Sequence, residues 1–286
     1  MAEVAEEQTT AVPSWTTGPV PAELAHARHL SALVQADNGQ AIFSLPSVGR
    51  FWVRPGRPTV VEPAAGAGDD DVECMLRGPV GALRSTLAGR YCLRGSAVAV
   101  AGQALVLVGS LRGASTLAAA LARRGHPLLA DGVVVITGSP ATAGPLPEGA
   151  PPRVALWPDS ARALGLAPGD GRPVRPSLPA RRYEVGPPAP AGPLPLRVLI
   201  VLLDEAAAAA QRRQGHGAGR AGGRFVSLRE NEWHASVVAD LGHQLDELAW
   251  ATPLCSAPPF AWQVLPAELS SQSLGQLAEQ VLELVT

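Results

Sequence analysis

The sequence predicts an α/β protein: a parallel or mixed sheet flanked by helices, preceded by a small β-rich N-terminal domain. Three observations predict it. Apolar runs of strand length at 96–100, 104–108, 133–136 and 196–203 are interleaved with stretches whose apolar residues recur at helical spacing. Strand, glycine-bearing loop, helix and strand succeed one another between 104 and 136, the order of a βαβ unit with a parallel sheet covered on its faces. Residues 41–62 (AIFSLPSVGRFWVRPGRPTVVE) read differently, as two or three short antiparallel strands cut by Pro and Gly.

The elements follow in chain order. Residues 1–21 form a flexible tail rich in Glu, Thr and Pro, in which SWTTG around Trp15 is a candidate docking peptide. Residues 22–90 make the small β-rich domain. There, His26 and His29 share a helical face and are exposed, Trp52 is a core residue, and 63–71 is a loop whose Asp69, Asp70 and Asp71 are solvated. A helix over 78–88 leads into the second domain, 91–286. Strands 96–100 and 104–108 are joined by a turn at Gly102-Gln103. The loop 109–113 feeds a helix over 115–124, and Gly125 ends it, as glycine does just past a helix C-terminus. Residues 128–130 and 133–136 continue as a buried strand. A Pro/Gly loop (137–152) precedes a strand at 154–157, with Trp157 in the core, and a short helix at 158–164. After a Pro-rich stretch (167–195), residues 196–203 give the strongest strand signal, continuously apolar from 198 as in a sheet interior. A low-complexity segment near 206–224 is expected to be a mobile loop, followed by helices at 230–248 and 269–284.

Composition narrows the function. The chain has 286 residues, 47% hydrophobic, enough for a sizeable core. A net charge of −2 and a pI near 6.3 argue against a nucleic-acid or membrane partner held by bulk electrostatics. All 23 basic side chains are Arg, so no reaction of this chain can use a lysine of its own. The first ten residues, acidic and polar, do not read as a secretory signal, and no apolar run is long enough to span a bilayer. Cys74, Cys92 and Cys255 are odd in number and scattered, as expected of structural thiols in a reducing cytoplasm.

The motif with chemical meaning lies at 105–116, LVLVGSLRGAST. A phosphate-binding P-loop needs a strand, a glycine-rich turn whose amides surround the phosphates, a Lys, and a Ser/Thr hydroxyl for magnesium. The following helix N-terminus adds unpaired N–H groups and its dipole. Gly109, Gly113, Ser115 and Thr116 fit that pattern. The spacing from Gly109 to Gly113 is one residue short, and Ala114 stands where the Lys would be. Together with its surroundings, RGSAVAVAGQALVLVGSLRGASTLAAALARRGHPLLADGVVVI, the segment resembles the core of the HPr serine kinase/phosphorylase family. The likeness extends through 152–159, 164–166 and 194–203, and the strands at 41–62 fit the small N-terminal domain of that family's kinase-like members.

The resemblance implies a P-loop-kinase-like fold and a site that has lost its chemistry. Ala114 replaces the Lys, Asp131-Gly132 replaces paired acids, and Arg94 stands where relatives carry a His. A charge-assisted bond to phosphate is worth about 1.5–3 kcal/mol, and a missing general acid/base costs about 10²–10⁴ in rate. Asp131 and Arg94 are thus vestigial catalytic positions, and Gly109, Arg112, Gly113, Ser115 and Thr116 a vestigial nucleotide loop. Arg124 and His126 match a stretch that serves packing and helix termination. Relatives of this type accompany peptide-modifying or natural-product enzymes. The implied role is therefore a catalytically inactive accessory or scaffolding subunit that binds another protein, a biosynthetic enzyme or precursor peptide, with no cofactor and with homo-oligomerisation left open. Two alternatives stay open. One is an ATP-dependent kinase with Ser115, Thr116 and Asp131 on magnesium and Arg112 or Arg94 in place of Lys. The other is a nucleotide sensor without turnover. Elsewhere, Glu230 and His234 share a helical face in ENEWH, yet no third ligand is spaced for a metal.

Overall fold

The computed structural model describes residues 15–37, 39–109, 113–138, 141–145, 153–214, 221–233, 244–256 and 260–285. The first unit is a six-stranded sheet of β1 (Trp15–Thr17), β2 (Arg28–His29), β3 (Val34–Asp37), β4 (Gln40–Leu45), β5 (Gly49–Val53) and β6 (Thr59–Pro63), in the order β1-β6-β5-β4-β3-β2. All pairs are antiparallel except β1 with β6. Of the two or three strands expected within 41–62, three are present (β4, β5 and β6), and alternation along β5 explains the sheet's two sides. Phe51 and Val53 join Val72, Met75 and Leu83 of α1 (Asp69–Arg77) and α2 (Pro79–Leu87), while Trp52 packs with Val20 and Leu24 on the other side.

Several expectations for this unit are corrected. Trp15–Thr17 is a strand laid along β6 rather than part of a tail. Arg28–His29 is a strand, so His26 and His29 share no helix; exposed His29 sits 3.2 Å from Glu23 Oε1. Asp69, Asp70 and Asp71 open α1, where a helix N-terminus favours acids. Asp71 is buried, not solvated, and pairs with Arg175 at 2.8 Å.

The second unit comprises β7 (Tyr91–Val100), β8 (Gln103–Val108), α3 (Gly113–Arg123), β9 (Leu128–Thr137), β10 (Thr142–Gly144), β11 (Val154–Leu156) and α4 (Pro158–Ala163). It continues with β12 (Arg172–Pro173), β13 (Arg181–Tyr183), β14 (Leu194–Leu203), α5 (Glu205–Gln214), α6 (Ala221–Glu230), α7 (Gln244–Ser256), β15 (Phe260–Val264) and α8 (Ser271–Glu283). The main sheet has the order β10-β9-β7-β8-β14-β15, and β11-β13-β12 form a small sheet of their own. The main sheet is mixed, not parallel: β7 lies between β8 and β9 and is antiparallel to both, whereas β8, β14 and β15 are parallel.

Helices cover both faces. Leu105, Leu107, Val198, Ile200 and Leu202 pack with Leu117 and Leu121 of α3 and Leu277 and Val281 of α8. The alternate residues Leu93, Val106, Leu199 and Val201 pack with Leu228 of α6 and Leu254 of α7. This double burial is why β14 is a continuous apolar run. Gly125 ends α3 with φ +95°, as its sequence position requires. The segment near 206–224 is helical at 206–214 and 221–224, in α5 and α6, rather than a loop; residues 215–220 lie outside the described residues. The helix expected over 230–248 is not continuous: α6 stops at Glu230, Asn231–Trp233 leave it, and α7 begins at Gln244. Trp52 and Trp157 are half-buried rather than core. Among the described residues, no helix is long and apolar enough to cross a membrane.

Candidate functional site

The residues singled out by the loop motif gather where β8 feeds α3. β8 ends at Val108, and Gly109 passes so close to β14 that a Cβ would lie 2.7 Å from the Leu202 carbonyl oxygen. Arg112 lies outside the described residues. Gly113, the first residue of α3, is buried under Leu265, three of whose atoms would stand 2.5–3.1 Å from a Cβ there. Ala114 is 7% exposed and belongs to the apolar cluster beneath the sheet. An ammonium at that position would be drawn out of water, at a cost a charge does not bear unpaired.

Of the three residues that the kinase alternative sets on one magnesium, Ser115 and Asp131 come together. Asp131 lies on β9 opposite Ser96 of β7. Its Oδ1 accepts from the Ser96 hydroxyl at 2.6 Å and its Oδ2 from the Ala155 amide at 2.8 Å, with the Ser115 hydroxyl and Gly132 amide as further donors. Burial pushes this carboxyl up from its ordinary value; the Ala155 amide and the Ser96, Ser115 and Gly132 donors pull it back, incompletely. Gly132 adopts φ +82°, so an acid at that position would take a left-handed backbone. Thr116 turns away: it is 1% exposed, and its hydroxyl donates to Ser160 Oγ of α4 at 2.8 Å.

Arg94 is exposed, two residues before Ser96 and on the same side of β7. Its amide donates to the Asn231 carbonyl (2.6 Å), and its guanidinium lies 5.4 Å from the Trp233 ring centre and 3.5 Å from the Glu232 carbonyl. Arg124 pairs with Glu279 of α8 at 3.3 Å, and the His126 amide closes the end of α3 on Leu121, so both serve packing and termination.

The ENEWH segment is divided. Glu230 is exposed, His234 lies outside the described residues, and Glu232 is 2% exposed, its Oε2 paired with Arg229 at 3.0 Å. Burial pushes the Glu232 carboxyl up to about 7 against the pull of Arg229. Among the described residues, no group of three His, Cys, Asp or Glu side chains could hold a metal.

Of the residues a P-loop offers a magnesium–nucleotide pair, the described ones are engaged within the chain or apolar. Both Asp131 oxygens already accept from the chain, Thr116 faces the core, and Ala114 and Leu265 make the start of α3 apolar. What the arrangement does well is join four segments: β7, β9, α3 and β11 all meet at one carboxylate. Sequence reasoning missed Ser96 and Ala155. Ser96 had a signal, being the one hydroxyl in the apolar run 96–100; a backbone amide such as that of Ala155 has none. No protein-family model matches the chain, and no curated protein matches it either.

Proposed function

We propose that the chain is a catalytically degenerate relative of the HPr serine kinase family that acts by binding another protein. The observation that carries the reading is the setting of Asp131, a buried carboxyl whose two oxygens accept from Ser96 and Ala155 of the chain itself. Ala114 supports it, because the P-loop position of the lysine is apolar and buried. The partner is an enzyme or a precursor peptide of a biosynthetic system, and the chain serves it as an accessory or scaffolding subunit.

The test is phosphate transfer by the purified full-length chain. With radiolabelled Mg·ATP and the proteins encoded beside it, no label should move to protein or peptide. A neighbouring enzyme should instead be recovered with it in fixed stoichiometry. Transfer that disappears in Asp131→Asn would make the protein an ATP-dependent kinase using Ser115, Asp131 and an arginine, and would end the proposal.

A further inference from the structure

β7 outruns its neighbour. β8 reaches only to Val108, opposite Gly95, so the β7 edge at 92–94 lies beyond it. Asn231–Trp233 take that edge: Leu93 and Glu232 form an antiparallel bridge, the Arg94 amide donates to the Asn231 carbonyl at 2.6 Å, and the Trp233 amide donates to the Cys92 carbonyl at 2.9 Å. The Trp233 indole crosses β7 and donates to the Gly132 carbonyl on β9 at 3.0 Å, with Arg94 against its ring. The segment thus ties together two strands beside Asp131.

Its side chain on the inner face is poorly served. Glu232 is buried with Arg229 of α6 as its ion-pair partner. Next to it, the Tyr91 hydroxyl of β7 and Ser227 Oγ of α6 are buried without a hydrogen-bond partner among the described residues. The ionisable groups within electrostatic reach of Tyr91 are Glu232, Arg229, Cys255 of α7 and Cys92, and Cys92, on the opposite face of β7, is itself within reach of Glu232. The Arg94 guanidinium meets the segment at the Glu232 carbonyl and the Trp233 ring, not at the Glu232 carboxylate. A carboxylate here loses its hydration for one guanidinium, so the seated segment favours the neutral acid.

We infer that Asn231–Trp233 form a proton-dependent latch, seated on β7 while Glu232 is neutral and loosened when it ionises. The sign follows from linkage. The seated state holds the proton up to about pH 7 and the released state only to the ordinary 4.5, so raising the pH through that window favours release. Release bares the β7 edge at 92–94 and the Gly132 carbonyl, next to the Asp131 cluster.

Amide hydrogen exchange of the full chain, corrected for the intrinsic pH dependence of exchange, tests this. Between pH 5 and pH 8, protection at Arg94 and Trp233 should fall more than about tenfold, while Leu117 and Leu121 in α3 stay unchanged. Glu232→Gln, which keeps shape and removes the charge, should abolish the fall. Trp233→Phe should weaken protection at every pH and leave its slope intact. The inference is overturned by pH-independent protection in the native chain, by an equal fall in Glu232→Gln, or by a parallel fall throughout α3.

Discussion

The two faces of β7 treat their polar groups in opposite ways. On the side of α3, Ser96 and Asp131 sit among donors and acceptors that match one another, with both carboxylate oxygens taken at 2.6 and 2.8 Å. On the side of α6 and α7, among the described residues, the Tyr91 hydroxyl, Ser227 Oγ and Trp262 Nε1 are buried without partners, and Glu232 has one guanidinium. The face that carries Asp131 is the better satisfied of the two. The face with no motif carries the groups that cost free energy to bury. A buried network is stabilising only when complete, so the first region behaves as core and the second as an adjustable contact.

Four substitutions sharpen that contrast, from the largest expected effect to the smallest. Asp131→Ala leaves the Ser96, Ser115 and Ala155 donors unanswered and should cost about 3 kcal/mol, measured by urea denaturation. A loss under about 1 kcal/mol would show that the cluster is solvated. Ala114→Lys restores the residue type of a P-loop but places an ammonium in the apolar cluster. It should cost about 2 kcal/mol and give no thermal shift with Mg·ATP. Glu232→Gln should change stability with pH. The folded-state value is raised, so stability present below pH 4.5 is lost as pH rises through about 7. The variant should therefore match the native chain near pH 5 and exceed it at pH 8 by about 1–2 kcal/mol, a figure reduced for Arg229 pairing and solvent screening. Arg124→Ala breaks an exposed pair with Glu279 and should change the midpoint by less than about 0.5 kcal/mol.

Legibility in the sequence followed the range of the interactions. β8, α3, β14 and α8 were readable because apolar period, a C-terminal glycine and helix spacing are local signals. The approach of Ser115 to Asp131 was readable only through the family resemblance, whose kinase alternative sets both on one magnesium. The insertion of antiparallel β7 between β8 and β9 was not, since pairing depends on edges far apart in sequence. Residues 206–214 and 221–224 were misread because alanine and glycine suggested low complexity, although alanine is the strongest helix former. The Asp71–Arg175 pair and the seat of Glu232 join positions 104 and 139 residues apart, and nothing local marks either.

The central proposal is that Asp131 and Ser115 serve one another within the chain rather than a metal-bound phosphate. Calorimetric titration of the full chain with Mg·ATP tests it most directly. The account predicts no saturable heat up to millimolar nucleotide, in the native chain and in Asp131→Asn alike. Saturable binding in the native chain that vanishes in Asp131→Asn would contradict it.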